Sequence, residues 1–187
     1  MLLAGGLARR MGGGDKPLRL LRGRPLLDHV TGRMAPQCRA LVLNANGDPA
    51  RFGGMPVIAD TLPDNPGPLA GILAGMRWAA TRHPAATHLL SVPTDTPFLP
   101  HDLAARLTAG RGAFPLACAA SLGRTHPVIG LWQVSLADDL ESWLRCGGRR
   151  TDRWTALHGV AVIDFPATPD PFLNINSPDD MTRAEMP

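Results

Sequence analysis

Lysine occurs once in this 187-residue chain, at Lys16, although arginine occurs eighteen times. Glutamate is almost as scarce, with Glu141 and Glu185 against fourteen aspartates. No apolar run approaches the roughly 18 residues of a membrane helix, so no membrane span is expected. Neither a basic leader nor a signal-length apolar stretch follows Met1, and a secreted chain is not expected either. Cysteine is limited to Cys38, Cys118 and Cys146, far apart and without CxxC spacing. That excludes a thiolate metal site or a disulfide frame and suits free thiols in a reducing cytoplasm. Repeats, low-complexity tracts, blocks of like charge and long linkers are all missing. A net charge of +3 is too small for a nucleic-acid-coating polycation.

What is present is enough for a core. Hydrophobic residues make up 44% of the chain. Glycine and proline together reach about 21%, high but below the roughly 25–30% of disordered chains. The length fits a single domain spanning 1–187. Short apolar runs alternate with helical patterns. Strands are expected at Met1–Leu3, Ala40–Leu43, Pro56–Ala59, His88–Val92 and Gly159–Phe165. One helix opens at Pro25 with Leu26, Leu27, Val30 and Met34 on a face. Another carries Leu69, Ile72, Leu73 and Met76, and a third Leu136, Leu140, Trp143 and Leu144. Leu116–Ala120 and Val128–Trp132 flank a hairpin at Leu122-Gly123-Arg124, and Ser177-Pro178-Asp179-Asp180 reads as a helix cap. The expected fold is an α/β, Rossmann-like three-layer sandwich, its sheet mostly parallel, with a small antiparallel insertion in the second half.

Gly5-Gly6, Asn44, Asp60 and Asp95 each fall at the carboxyl end of an expected strand, where open α/β sheets bind ligands. Ordinary turn chemistry at four strand ends is the alternative. The segment from Leu3 to Lys16 carries more information. It holds five glycines, which let backbone approach an anion, and Arg9, Arg10 and Lys16 beside them. The ligand this implies is a phosphate chain. A single lysine in a chain otherwise committed to arginine is either drift or a position that needs a compact ammonium on a flexible stem, which a planar guanidinium does not replace. The loop is not a Walker motif, since Asp15 and Pro17 flank Lys16 where Gly and Ser/Thr are required. Nor is it GxGxxG, since Pro17 stands where glycine is needed. A magnesium ion would need a carboxylate elsewhere, and Val92-Pro93-Thr94-Asp95-Thr96-Pro97 offers one. No Ser/His/Asp or Cys/His arrangement is legible.

Leu3-Ala4-Gly5-Gly6…Arg10-Met11-Gly12…Asp15-Lys16 resembles the signature loop of nucleotidyltransferases that use an NTP and release pyrophosphate. Leu43-Asn44-Ala45-Asn46, Ile58-Ala59-Asp60, Pro66-Gly67-Pro68-Leu69-Ala70-Gly71, Pro93-Thr94-Asp95-Thr96-Pro97, His126-Pro127 and Phe172-Leu173-Asn174-Ile175-Asn176-Ser177-Pro178 extend the likeness along nearly the whole chain. Together they narrow it to the molybdenum cofactor guanylyltransferase (MobA) family. One departure is that only Met1 and Leu2 precede Leu3, where the family usually has several apolar residues; the first strand is expected to be short.

The resemblance implies transfer of GMP from Mg-GTP to the terminal phosphate of molybdopterin, with pyrophosphate released. By position, Leu3, Ala4, Gly5 and Gly6 would contact the nucleotide, and Lys16 and Arg10 its phosphates. Asn44, Asp60 and Gly71 would lie around guanine and ribose, with the Asp60 carboxylate either accepting from guanine N1–H and N2–H2 or capping a turn instead. Asp95 would hold Mg2+, and Asn174 and Asn176 would face the pterin, which divides the domain into a GTP-binding first part and a molybdopterin-binding second part. The partners implied are GTP, molybdopterin and, transiently, other cofactor-biosynthesis proteins and recipient molybdoenzymes, in the cytoplasm, with no nucleic acid or membrane. Arg145, Arg149, Arg150 and Arg153 form either a solvated face or a docking patch for the pterin phosphate. His126 reads as a structural turn residue. The alternatives are a cytidylyl or sugar-nucleotide transferase of the same fold, or a non-catalytic nucleotide or molybdopterin carrier.

Overall fold

A computed structural model of the chain describes residues 1–4, 15–62 and 67–185. Among the described residues, seven strands make one sheet in the order β5-β4-β1-β6-β8-β7-β9. They are β1 (Leu2–Leu3), β4 (Leu43–Asn44), β5 (Val57–Ile58), β6 (His88–Pro93), β7 (Leu116–Ser121), β8 (Arg124–Gln133) and β9 (Val160–Asp164). β5, β4, β1 and β6 run parallel, with Leu3 opposite Asn44 on one side and Pro93 on the other. β8 alone runs against its neighbours β6 and β7, and β9 pairs parallel to β7. The expected α/β sandwich with an antiparallel element in its second half is what forms. The β7–β8 turn is tight because Leu122 and Gly123 both take left-handed φ (48° and 73°), the mirror-type turn that suits the twist of paired strands.

Side chains leave each strand alternately up and down, and the two faces collect different partners. Leu2, Leu43, Leu90, Val92 and Ile129 pack under α1 (Leu26–Met34) and α3 (Leu103–Gly110). Leu3, Val42, Leu89 and Trp132 pack under α2 (Pro68–Arg82), α4 (Ala137–Arg145) and α5 (Thr151–His158). The anticipated α2 face is fully buried: Leu69, Ile72, Leu73 and Met76 are all at 0% exposure. Each such burial is worth about 1.5–3 kcal/mol, so this one face anchors the helix to the sheet.

Two details differ from the sequence reading. Pro25 precedes α1 rather than opening it, because it also closes a separate two-stranded hairpin, β2 (Leu20–Leu21) with β3 (Arg24–Pro25). Helices α3 and α5 were not anticipated, and Arg153 lies inside α5. Arg145 pairs with Glu141, Arg150 with Asp152, and Arg149 donates to the Leu144 and Gly148 carbonyls. These three guanidiniums have local partners.

The C-terminal helix α6 (Pro178–Glu185) starts as its sequence suggests. Ser177 Oγ accepts from the Asp180 N–H at 3.1 Å, and Asp180 Oδ2 accepts from Ser177 Oγ and the Asn176 N–H. The Ser177 hydroxyl first, then the Asn176 amide, hold the Asp180 carboxyl below the usual carboxylate range. Cys38, Cys118 and Cys146 are free, and burial pushes the first two thiols up, away from the reactive thiolate. Among the described residues no helix is long and apolar enough to cross a membrane.

Candidate functional site

The parallel strands β5, β4, β1 and β6 end side by side, so their following residues share one edge of the sheet. In that order they deliver Asp60, Asn44 with Asn46, Ala4, and Thr94-Asp95. Gly5, Gly6 and Arg10 belong to the expected phosphate loop but lie outside the described residues. The described members fall into two clusters joined by β1.

The first cluster gathers Asn44, Asn46, Asp60 and Gly71. Asn44, 6% exposed, donates from Nδ2 to Asp60 Oδ1 at 3.0 Å and to the Ile58 carbonyl at 3.3 Å. Asn46 donates to Asp60 Oδ2 at 3.0 Å and accepts from the Asp60 N–H at 3.0 Å. Each Asp60 oxygen therefore already holds one amide and keeps one lone pair for a ligand. Gly71 sits in the first turn of α2 against this cluster. A Cβ there would lie 2.2 Å from Asn44 Oδ1 and 2.9 Å from Leu3 Cδ2. Neither neighbour can move freely, because Asn44 is tied twice and Leu3 is core. Gly71→Ala is therefore expected to cost about 1–3 kcal/mol by overpacking and to weaken nucleotide binding by displacing Asn44. Urea unfolding with and without nucleotide checks both effects.

The second cluster centres on Lys16. Its ammonium donates to Asp95 Oδ2 at 2.5 Å and to Asn176 Oδ1, and the Lys16 and Asp95 side chains are only 12% and 18% exposed. Thr96 Oγ donates to Asn174 Oδ1 at 2.8 Å, and the Ile175 N–H donates to the Asp95 carbonyl at 2.8 Å. The segment 174–176 is thus laid along the end of β6, with both asparagines exposed and Ile175 buried beside Leu21, Leu26 and Ala184. Lys16, Asp95, Asn174 and Asn176, which the sequence reading gave separate roles, all meet here. Between the clusters, the Leu3 carbonyl accepts from Thr94 N–H and Oγ, and the Ala4 N–H donates to the Asn44 carbonyl at 2.9 Å. Those backbone groups belong to the sheet.

Sequence reasoning assigned no role to Asn46, Arg51 or Thr96. Arg51 donates to Asp15 Oδ1 at 2.7 Å and to the Asn46 carbonyl, tying the residue before Lys16 to the first cluster. It also missed a Ser/His/Asp grouping. Ser121 Oγ lies 2.8 Å from His126 Nε2 and 2.8 Å from Asp170 Oδ1. This is not a nucleophile: Ser121 is 1% exposed and its single proton faces the carboxylate, leaving Oγ to accept from the imidazole. Burial holds the His126 pKa below its ordinary value, opposed by Asp170 and assisted by Arg124. Its ring packs on Phe172, centroids 4.8 Å apart, as befits a structural residue. A cavity of about 600 Å³ at the amino edge of the sheet, lined by Trp78, Arg82, His83 and His88 among others, shares none of these residues.

An open, mostly parallel sheet with a cationic and amide-rich cluster at the carboxyl edge of its first strands defines a nucleotide-handling α/β domain. The solved structures agree at the level of fold. Molybdopterin-guanine dinucleotide biosynthesis protein A from Archaeoglobus fulgidus superposes with a TM-score of 0.70 over 98% of this chain and 95% of that one, at 23% identity. A 4-diphosphocytidyl-2C-methyl-D-erythritol synthase from Anaerococcus prevotii superposes with a TM-score of 0.76 over 98% and 92%, at 11% identity. The family model of the MobA-like NTP transferase domain matches residues 1–159. A molybdenum cofactor guanylyltransferase from Bradyrhizobium sp. (strain ORS 278) is 56% identical over 99% of this chain and 90% of its own length. One of the same name from Rhodopseudomonas palustris (strain BisB5) is 53% identical over 99% and 91%. The chain belongs to the MobA-like NTP transferase family.

Proposed function

We propose that this nucleotidyltransferase moves GMP from GTP to the terminal phosphate of molybdopterin, forming the guanine dinucleotide of the cofactor. The observation that carries the site assignment is Lys16, whose ammonium joins Asp95, just past β6, to Asn176, just before α6. In the reaction a phosphate oxygen of the acceptor bonds to the α-phosphorus of GTP. The bond from that phosphorus to the bridging oxygen breaks, and pyrophosphate leaves. No side-chain nucleophile is needed; the obstacle is the approach of two anions and the charge that gathers on the leaving group, so positioning and preorganised charge are what the protein must supply.

The residues divide that work. Asn44 and Asp60 hold the nucleoside, with the free lone pairs of Asp60 facing guanine N1–H and N2–H2, adjacent donors that cytosine lacks. Leu3 and Ala4 lie beneath it, with Gly5 and Gly6 next in the chain. The amino end of α2, beginning at Pro68 and containing Gly71, adds partial positive charge. Lys16 and Arg10 neutralise the phosphates, Lys16 by moving from Asp95 to the triphosphate. Asn174 and Asn176 take the pterin. On this reading residues 1–187 work as one domain, GTP in its first part and molybdopterin in its second. Transient contact with other cofactor-biosynthesis proteins and recipient molybdoenzymes would serve delivery.

The family handles its nucleotide with a divalent metal, and the residues here fit one. Asp95 Oδ2 already holds a cation, the Lys16 ammonium, while Oδ1 has only a 3.5 Å contact from the Thr96 hydroxyl. Among the described residues no three His, Cys, Asp or Glu side chains cluster. One carboxylate completed by phosphate oxygens and water is the donor set magnesium accepts, so we assign Asp95 to Mg2+. When bound, the ion offsets charge on the triphosphate and the leaving pyrophosphate.

Thermal unfolding with Mg2+ and each NTP tests the base assignment. At about a hundred times its Kd, GTP should add about 2.7 kcal/mol, a rise of roughly 5–11 °C for a chain of this size. Stabilisation by CTP and not by GTP would contradict guanine selection and favour a cytidylyl transferase.

A further inference from the structure

Resting on the reading of Asn174 and Asn176 as acceptor-side residues, we infer that Ser121, His126 and Asp170 form a bridge that positions that segment, with Asp170 as its positioning residue. Residues 166–169, just upstream, are exposed and belong to no helix or strand. Asp170 is where the chain is caught again by the sheet. Its Oδ1 accepts from Ser121 Oγ at 2.8 Å and from the Phe172 N–H at 3.0 Å, so one oxygen both fastens the chain to the end of β7 and sets the turn that follows. The Asp170 carbonyl closes that turn by accepting from the Leu173 N–H at 3.3 Å.

The turn drives Phe172 inward, 2% exposed, between the Phe165 ring at 5.3 Å and the His126 ring at 4.8 Å. His126 in turn donates to Ser121, which leaves the buried hydroxyl satisfied on both sides. Two residues beyond Leu173, the Ile175 N–H reaches the Asp95 carbonyl. The segment bearing the two exposed asparagines is therefore pinned twice: upstream by Asp170 to β7 and β8, and between the asparagines by Ile175 to the end of β6. The β7–β8 anchor stands on the far side of β6 from Asn44 and Asp60. Loosening it should disturb the acceptor and spare the nucleotide.

Both bonds fall on the same carboxylate oxygen, which an amide oxygen can replace. Asp170→Asn should therefore keep the bridge and Asp170→Ala should remove it. In steady-state assays with Mg-GTP and molybdopterin, Asp170→Ala is expected to raise the acceptor KM roughly tenfold to a hundredfold, as a displaced positioning contact does. The GTP KM should stay within about twofold, and Asp170→Asn should stay within about threefold of the unmodified protein on both. Amide exchange should quicken at residues 172–176 in Asp170→Ala and not in Asp170→Asn. Ser121→Ala, which cuts the bridge but leaves the Phe172 turn, gives an independent arm with the same expected direction.

Unchanged exchange at 172–176, equal impairment of Asp170→Asn and Asp170→Ala, or equal rises in both KM values would each overturn the proposal. Asn174→Ala and Asn176→Ala separate it from the reading beneath it. If they raise the acceptor KM and Asp170→Ala does not, the positioning role is overturned alone. If they leave it unchanged, the acceptor reading fails and the proposal falls with it.

Discussion

Replacing Lys16 with alanine should lower kcat for pyrophosphate release by about 10²–10³, the loss that follows removal of one preorganised charge contact to a developing anion. Lys16→Arg should fail as well, by tenfold or more, although it keeps the charge. The ammonium is met by Asp95 Oδ2 and Asn176 Oδ1 at a site where the Lys16 side chain is 12% exposed. One small, rotatable donor group serves both partners there, and can leave them for the triphosphate. A guanidinium is planar and bulkier and places its donors in a fixed fork, so it cannot put a nitrogen at the same point without displacing a partner. The eighteen arginines elsewhere show no general bias in this chain toward lysine for positive charge. Full activity in Lys16→Arg, measured at saturating GTP, would contradict the geometric argument while leaving the family assignment intact.

Asp95→Asn should be comparably severe in turnover, about 10²–10³, because it removes the carboxylate that both receives Lys16 and fits the metal. It should also abolish the Mg2+-dependent part of stabilisation by GTP, so that adding EDTA no longer changes the nucleotide-induced rise in Tm. A stability cost accompanies this. The Lys16 ammonium loses its carboxylate in a spot with little water, about 1–3 kcal/mol for a charged group left poorly paired. For a chain of this length that is a fall of roughly 2–12 °C in Tm. The backbone should survive, since Asp95 reaches Ile175 through its carbonyl, which the substitution keeps. An Asp95→Asn protein whose GTP response still depends on Mg2+ would remove Asp95 from the metal site.

How much of this was legible in the sequence depended on the distance over which each residue acts. Local periodicity was enough for α2, whose four apolar residues recur at helical spacing and are all buried. It also sufficed for the β7–β8 hairpin, where the glycine of the turn stands between two apolar runs. The β2–β3 hairpin was hidden because its turn puts Arg22 at φ 51° beside Gly23, a conformation that an arginine does not advertise. Helix α5 was hidden because Trp154 is its one large side chain buried to the full, and its arginines drew attention instead. Strands β4 and β5 shrank to two residues each, the first expected from Ala40 and the second from Pro56, which has no N–H to donate.

The candidate site divides in the same way. Lys16 could be named as the chain's single lysine beside a glycine loop, and Asn44, Asp60 and Asp95 because they fall together at the carboxyl ends of expected strands. Their partners could not be, because Lys16 and Asn176 lie 160 positions apart and only the folded sheet brings them together. The Ser121–His126–Asp170 bridge was missed for that reason too: two of its members are five residues apart, but Asp170 lies 49 positions from Ser121. Asn46 was visible as part of a motif, yet its use, holding the second Asp60 oxygen, required the register of β4 beside β5.

The most direct measurement is pyrophosphate release by the full chain supplied with Mg2+, molybdopterin and either GTP or CTP. Release with GTP is expected to depend on molybdopterin, to yield the guanine dinucleotide in equal amount and to be lost in Lys16→Ala. GTP binding with no pyrophosphate released when molybdopterin is present would contradict it and leave a carrier; release with CTP in place of GTP would contradict the assignment of Asp60 and Asn44 to guanine.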